Sequence, residues 1–361
     1  MASKRNHLRY SFSLPFSLYW YTGDRQATSK TSTAAAGKNK GGDLISGKRF
    51  EAGVDIGATK TALALFDAGT MLAQARYRTD VTLNAQETIA MLAQQLAQLA
   101  AQHGGHLSAI GIGAPSDIDY AHCYIRNTTN IPGLAACDLR QALQAYFGPI
   151  PIAADNDANT AALAEYRYGA GRGTEDMIYS TISTGIGGGL ILNGKVYRGS
   201  HDYAGEIGHM IATPGIGVRC GRGHQGCFES YCGGANLYKH VQLRLAAGEQ
   251  TMMTQWSAAE NIDGKTWLRA WQAGDAMAQA LLEQTGNYLG LLYYNLYQVL
   301  NLDRFVLGGG LTAFGEPLFN QIRAAFRRFA GTEAPAVSFF PAVLGEKAGL
   351  IGAHLLLAEK K

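Results

Sequence analysis

The stretch "AGVDIGATKTALALFDAGTMLAQARYRT", residues 52–79, decides the fold class of this chain. Its apolar opening runs into a Gly-Ala-Thr turn, and two further strand-like segments follow, separated by an Asp-Ala-Gly turn. The same arrangement returns in "MIYSTISTGIGGGLILNGKVYRG", residues 177–199, where a Gly-rich turn and an Asn-Gly turn separate three strands. The repetition predicts two related halves, and a cleft between such halves is a natural place for a ligand.

Between these repeats the chain alternates strands with helices. In "QETIAMLAQQLAQLAAQH", residues 86–103, apolar residues recur at spacings of three and four, which predicts an amphipathic helix with an apolar face of Ile89, Leu92, Leu96 and Leu99. The segment "AIGIGAP", residues 109–115, predicts a short buried strand that ends at a Gly/Pro break. Strands followed by helices, repeated along the chain, predict an α/β fold.

Composition limits the class of protein. A chain of 361 residues with 47% hydrophobic content is long enough for two packed domains, and 45 glycines indicate many tight turns. No window approaches the roughly 18 consecutive apolar residues that a membrane span needs, so we expect a soluble protein without a membrane partner. The five cysteines form an odd, scattered set, which favours a reduced, cytoplasmic protein over a disulfide framework.

Charge is distributed unevenly along the chain. Residues 1–49 have a net charge of +7, whereas the remaining residues have a net charge of −4. The first segment is low in complexity and has no helical or strand period, which predicts a disordered basic extension, with a targeting peptide as the alternative. The mildly acidic remainder argues against nucleic acid as the main partner, because phosphate binding needs a basic surface.

Three glycine-rich turns are candidate phosphate cradles. One such turn alone is more often a plain hairpin, but three at the ends of apolar strands favour a nucleotide. None of them matches the P-loop or the dinucleotide-binding pattern. The candidate residues are Gly57, Thr59 and Lys60 in the first turn, Thr184, Gly185, Gly187, Gly188 and Gly189 in the second, and Gly308, Gly309 and Gly310 in the third.

A pair of polar residues stands at a predicted strand-to-helix junction. In "ADNDANTAALAEY", residues 154–166, Asn156 and Asp157 precede an Ala-rich run that is a strong helix former. Asp157 has two interpretations: it caps the helix, or it accepts a proton from a substrate hydroxyl.

The Gly-rich stretch at residues 204–229, "AGEIGHMIATPGIGVRCGRGHQGCFE", combines several side chains that bind metals. His209, Cys220 and Cys227 are suitable ligand types, but Arg222 stands where a fourth ligand is expected. From the residues alone, this stretch is open to interpretation as a metal site, a catalytic site or a plain loop.

Seven short motifs stand in the order and approximate spacing of the ROK family of sugar kinases and related repressors. They are "GVDIGATK", "NIPG", "NDAN", "STGIGGGLILNGKVYRG", "AGEIGH", "CGRGHQGCFE" and "VLGGG", and they span roughly residues 52–356. The resemblance implies a two-domain actin-like ATPase fold (ASKHA, ribonuclease H-like), with ATP and a hexose meeting in an interdomain cleft. It predicts a small domain over residues 50–154, completed by a C-terminal helix over 345–361, and a large domain over 155–344.

The resemblance also assigns roles to individual residues. Asp157 resembles the general base that activates the sugar hydroxyl, and Asp55 resembles the residue near Mg²⁺ and the phosphates. Gly308, Gly309 and Gly310 resemble the nucleoside contact. The implied sugar ligands are Asn156, Glu206, His209 and Glu229, with Asn130 and Gly133 closing the pocket.

In the same family a histidine and a C-x-C-x4-C run commonly hold a structural zinc beside the sugar pocket. Here His209, Cys220 and Cys227 match three of the four places, and Arg222 takes the remaining one. A guanidinium stays protonated and cannot bind Zn²⁺. We therefore predict that His224 replaces the missing cysteine, and the alternative is that the metal site has been lost.

The function predicted from these features is an ATP- and Mg²⁺-dependent hexose kinase, with glucose as the leading substrate and a homodimer as the expected assembly. The alternative substrates are N-acetylglucosamine, N-acetylmannosamine, fructose, mannose and allose. A ROK-type sugar-responsive repressor is the second class. It is disfavoured because the segment 1–49 is short and lacks the amphipathic helices of a winged helix-turn-helix.

Overall fold

The computed structural model describes residues 47–128, 130–333 and 336–359. The basic extension predicted for residues 1–49 lies outside the described residues as far as residue 46. The first strand begins at Lys48, inside the range predicted as extension.

Two five-stranded sheets and one three-stranded sheet form the framework of the described residues. The strands are β1 (Lys48–Ile56), β2 (Lys60–Asp67), β3 (Thr70–Arg78), β4 (Gly105–Ala114), β5 (Asp117–Asp119), β6 (Tyr124–Asn127), β7 (Cys137–Asp138), β8 (Ile152–Asn156), β9 (Met177–Ile182), β10 (Ile186–Leu192), β11 (Lys195–Tyr197), β12 (Arg304–Gly308) and β13 (Ser338–Pro341).

Ten α-helices accompany these strands within the described ranges. They are α1 (Ala85–Gln102), α2 (Leu139–Phe147), α3 (Asp157–Tyr168), α4 (Phe228–Cys232), α5 (Gly234–Ala246), α6 (Met253–Trp256), α7 (Gly264–Gln272), α8 (Ala276–Leu300), α9 (Glu316–Ala330) and α10 (Ala348–Glu359). None of the helices in the described part of the chain is both long and apolar enough to cross a bilayer.

The two large sheets repeat one topology. The first sheet has the order β3-β2-β1-β4-β8, and the second has the order β11-β10-β9-β12-β13. In each sheet the three strands that come first in sequence pair antiparallel, and the two strands that come later pair parallel. The prediction of two related halves is therefore confirmed.

Helices α3 and α10 connect the two sheets. Helix α10 packs on β1 and β4 of the first sheet, α3 packs on β9 and β10 of the second, and the two helices pack on each other. The helices touch backbone to backbone, because a Cβ on Gly352 would lie 1.7 Å from the carbonyl oxygen of Thr160. The start of α3 and the start of α10 are therefore held in fixed positions relative to both sheets.

The predicted amphipathic helix is confirmed as α1, whose residues Ile89, Leu92, Leu96 and Leu99 are buried. Asn84 caps it by accepting a hydrogen bond from the Glu87 amide, and the Glu87 carboxylate accepts one from the Asn84 amide. This reciprocal capping box satisfies donors that the first helical turn leaves unpaired. The cap explains why the helix begins at Ala85.

We expect a chain that begins at Ser46 to melt within about 2 °C of the full-length protein, because the removed segment is polar and aperiodic. Thermal unfolding of the two chains tests this prediction. The contrasting variant begins at Gly57 and lacks the central strand β1, so it should not fold. A Tm drop of more than about 5 °C for the first variant would show that the extension stabilises the fold.

Candidate active site

The second and third glycine turns lie side by side. The second turn comprises residues 183–185 after β9, and the third comprises residues 308–310 at the end of β12. Gly309 has φ +88°, and a Cβ on it would lie 2.4 Å from the carbonyl oxygen of Ile182. Only glycine fits this close approach, so two of the predicted cradles form one surface at the ends of neighbouring parallel strands.

The second cradle is shorter than the sequence suggested. Gly187, Gly188 and Gly189 lie in β10, which begins at Ile186, so their assignment to the turn is wrong, whereas their predicted phosphate contacts stay predictions. A Cβ on Gly189 would come within 2.5 Å of the carbonyl oxygen of Ala158, and one on Gly187 would lie 3.3 Å from the Ala158 side chain. The glycines let the first turn of α3 approach the sheet closely, and that turn carries Asp157.

Asp157 is the first residue of α3, and the helix cap is its neighbour Asn156. The Asn156 side chain accepts a hydrogen bond of 2.8 Å from the Ala158 amide. Burial, together with the nearby carboxylates of Asp55 and Glu206, raises the pKa of Asp157 to about 6. A carboxylate whose pKa is near neutrality suits general-base catalysis.

Asp55 faces Asp157 from the end of β1. Burial raises the pKa of Asp55, Lys60 lowers it, and Glu346 raises it. The start of α10 lies against this carboxylate, since a Cβ on Gly349 would be 2.6 Å from Asp55 Cγ. Asp55 and Asp157 are both desolvated, and the charge of Asp55 raises the pKa of Asp157. Two neighbouring carboxylates of this kind form a donor set that suits a divalent cation with oxygen ligands.

Lys60 in the first turn has a partner that the motif did not indicate. Its Nζ lies 2.5 Å from Glu346 Oε1, and both side chains are exposed. The two residues are 286 positions apart, so no local pattern could have linked them. The predicted phosphate contacts of Gly57, Thr59 and Lys60 stay predictions.

The predicted sugar ligands Glu206, His209 and Glu229 come together near Asp157. Glu206 Oε2 lies 3.7 Å from His209 Nε2. Glu229 Oε2 accepts a hydrogen bond of 3.1 Å from the amide of Ile186, next to the second glycine turn. Burial lowers the pKa of His209, and the charge of Glu229 opposes that shift. The three side chains therefore form one polar cluster.

The motif "NIPG", residues 130–133, supplies the remaining two predicted sugar contacts. Asn130 lies at a bend and is exposed. A Cβ on Gly133 would lie 1.9 Å from the carbonyl oxygen of Leu83, just before α1. Close packing thus explains the glycine, and the predicted sugar contacts of Asn130 and Gly133 stay predictions.

The cysteine loop brings together four residues of metal-binding types, two histidines and two cysteines. One ligand atom from each of His209, Cys220, His224 and Cys227 lies within 4.8 Å of the others. The backbone explains the arrangement, because the Cys220 amide donates to the carbonyl of His224 and the Gly223 amide donates to the carbonyl of Cys220. This tight turn brings His224 beside Cys220. Two cysteines and two histidines are a ligand set found in structural zinc sites.

Two related sheets, adjoining glycine turns and a cluster of carboxylates define the class of the molecule: it has the two-domain actin-like fold of the ASKHA superfamily. A family model described as "ROK family" matches residues 51–360. The chain therefore belongs to the ROK family.

Several characterised members are similar to this chain over most of its length. A glucokinase of Halalkalibacterium halodurans is 31% identical over 331 residues, which cover 87% of this chain and 96% of that protein. An N-acetylmannosamine kinase of Escherichia fergusonii is 31% identical over 314 residues, covering 85% and 98%. The structure of a ROK family glucokinase from Streptomyces griseus in complex with glucose and AMPPNP is 32% identical, covers 86% and 99%, and matches with a TM-score of 0.73.

Proposed function

We propose that the protein is an ATP-dependent hexose kinase that transfers the γ-phosphate of ATP to a sugar hydroxyl, with glucose as the leading substrate. The observation that carries the proposal is Asp157, a buried carboxylate whose pKa is raised by burial and by the charges of Asp55 and Glu206. The similarity to glucokinases supports glucose, and the similarity to an N-acetylmannosamine kinase keeps the N-acetylated hexoses as alternatives.

In this mechanism Asp157 accepts the proton of the attacking sugar hydroxyl. The oxygen then forms a bond to the γ-phosphorus while the bond to the β,γ-bridging oxygen of ATP breaks. Glu206, His209, Glu229 and Asn156 would hold the other hydroxyls, because carboxylates accept hydrogen bonds and amides fix direction. Asp55 would bind Mg²⁺, which neutralises the phosphate charge when bound.

Turnover of ATP against a panel of hexoses tests this function. We expect phosphorylation of glucose, or of one of N-acetylglucosamine, N-acetylmannosamine, fructose, mannose and allose. Absence of sugar-stimulated turnover with the whole panel would contradict the kinase proposal.

Hexose binding should close the pocket. We expect added hexose to slow amide hydrogen exchange in the segments around residues 130 and 206, because closure of a kinase cleft excludes water. The helix α9 lies away from the cluster and serves as the internal control. Equal exchange of all segments with and without a saturating hexose would argue against a sugar site there.

The zinc site is a separate part of the proposal. His209, Cys220, His224 and Cys227 would hold one structural Zn²⁺, with His224 in place of the cysteine that Arg222 replaces. His209 Nδ1 lies 3.9 Å from Cys220 Sγ, and its Nε2 lies 3.7 Å from Glu206. A ligating histidine whose second nitrogen faces a carboxylate is held in orientation by it. The metal would thus support the sugar pocket.

The predicted homodimer and cytoplasmic location also stay proposals.

A further inference from the structure

Arg222 stands at a position where the family resemblance implies a metal-binding cysteine, and its side chain contacts the proposed sugar cluster. Its Nη2 is 3.1 Å from Glu206 Oε1 and 3.8 Å from Asp117 Oδ1. Glu206 belongs to the proposed sugar cluster, whereas Asp117 begins strand β5 in the first half of the chain. One guanidinium therefore joins the cysteine loop, the sugar cluster and the first half.

Asp117 is a well-held partner for this guanidinium. Its side chain is 12% exposed, and its Oδ2 accepts a hydrogen bond of 2.6 Å from Tyr203 Oη. The residue before it, Ser116, accepts a hydrogen bond of 3.4 Å from the Asn156 side chain through its carbonyl oxygen. Asp117 is therefore one residue away from a direct contact with a proposed sugar ligand.

A second arginine joins the same two parts of the molecule. Arg126 of β6 donates to the carbonyl of His201 at 3.0 Å and to Asp202 at 3.1 Å, and it also pairs with Asp119 of β5 at 3.2 Å. Residues 201–206, here called the rim segment, are thus tied to the β5–β6 hairpin near both ends. Arg126 holds the beginning of the rim segment, and Arg222 holds Glu206 at its end.

We propose that Arg222 is a positioning residue that fixes the direction of the Glu206 carboxylate before the sugar arrives. The inference rests on the proposed function, in which Glu206 contacts the sugar. A partly exposed ion pair adds little stability by itself. The ion pair acts instead by ordering the Glu206 side chain. A long carboxylate side chain that is already held in place loses less conformational freedom when a ligand binds.

A guanidinium suits this role better than an ammonium. Its planar fork can contact two carboxylates in fixed directions, whereas a lysine ammonium is a compact, strongly hydrated charge on a flexible chain. Two variants therefore distinguish the contribution of the positive charge from that of the planar guanidinium. Arg222→Met removes both, and Arg222→Lys keeps the charge alone.

The kinetic test compares these variants with a matched arginine of the same loop. Arg219 is the control, because its Nη1 donates to the carbonyl of Gly223 at 2.9 Å and supports the loop without contacting Glu206. We expect Arg222→Met to raise the KM for the hexose about tenfold with kcat nearly unchanged, which is the signature of lost binding before the chemical step. Arg222→Lys should recover part of that loss, and Arg219→Met should keep the wild-type KM.

Hydrogen exchange of the ligand-free protein gives a second readout that needs no catalysis. We expect the rim segment to exchange faster in Arg222→Met and at the wild-type rate in Arg219→Met. An unchanged KM and unchanged exchange in Arg222→Met would overturn the inference, as would equal effects of the two methionine variants. If the wild type phosphorylates no hexose, the proposed function fails, and the exchange comparison still decides whether Arg222 holds the rim segment.

Discussion

Replacing Asp157 by Asn is expected to lower kcat by about 100- to 10,000-fold, the range typical of losing a general base. The amide keeps the shape of the carboxylate but cannot take the proton from the sugar hydroxyl. Hexose binding should persist, because the neighbouring sugar ligands and the cap residue Asn156 are unchanged. Steady-state kinetics at saturating ATP and hexose, with binding measured separately by thermal shift, checks both parts.

The matched control is Asp138→Asn. Asp138 also stands at a helix start, where it accepts a hydrogen bond of 2.8 Å from the Gln141 amide at the beginning of α2. It lies outside the carboxylate cluster, so we expect this variant to keep wild-type turnover. Comparable turnover of Asp157→Asn and the wild type would remove Asp157 from the role of base.

The pKa of Asp157 also predicts a pH dependence. A general base acts in its ionised form, so a pKa of about 6 implies that kcat rises with pH through that region and levels off above it. Below the pKa the rate should fall about tenfold for each unit of pH, because the ionised fraction falls by that factor. A rate that stays constant down to about pH 4.5 would contradict the raised pKa.

Loss of the zinc site is expected to have the second large effect. The purified protein should carry about one zinc per chain, as a closed four-ligand site requires. His224→Ala should remove most of this metal, lower the Tm by roughly 5 °C and weaken hexose binding about tenfold, since the loop would no longer orient His209. Elemental analysis, thermal unfolding and hexose titration measure the three effects.

A neighbouring residue provides the control for the zinc experiment. Gln225 lies in the same loop and donates a hydrogen bond of 2.9 Å to the carbonyl of Gly217, but its amide is a poor zinc ligand. Gln225→Ala should therefore keep the metal. Full zinc occupancy in His224→Ala would exclude His224 as the fourth ligand. A metal-free wild type whose stability is insensitive to chelators would show that the site is vestigial, and Arg222→Cys would then test whether the family ligand set restores it.

Local sequence signals were sufficient to predict helix α1, several strands and turns, and the grouping of the metal-binding side chains. The period of three and four in α1, the apolar strands and the glycine turns after β1, β9 and β12 were all recognised, because periodicity and turn chemistry act over a few residues. The repeated strand pattern was enough to predict two related halves. The close grouping of His209, Cys220, His224 and Cys227 was also predictable, because the four residues lie within one short loop.

Some local signals were interpreted wrongly. The run of glycines at 187–189 was assigned to a turn, but it lies in β10, where the first turn of α3 approaches the strand. A glycine gives the same signal in the sequence whether it allows a tight turn or a close backbone contact. Only the packing partner distinguishes the two cases.

By itself, the sequence determined the strands, the turns, the family motifs and the loss of one expected cysteine at Arg222. The tertiary structure alone decided which carboxylates these two cations meet: Arg222 pairs with Glu206 and Asp117, and Lys60 pairs with Glu346. The physical reason is distance along the chain. Charge pairs form wherever packing brings two side chains within a few ångströms, and the packing of α10 on β1 and β2 brings together residues as far apart as Lys60 and Glu346.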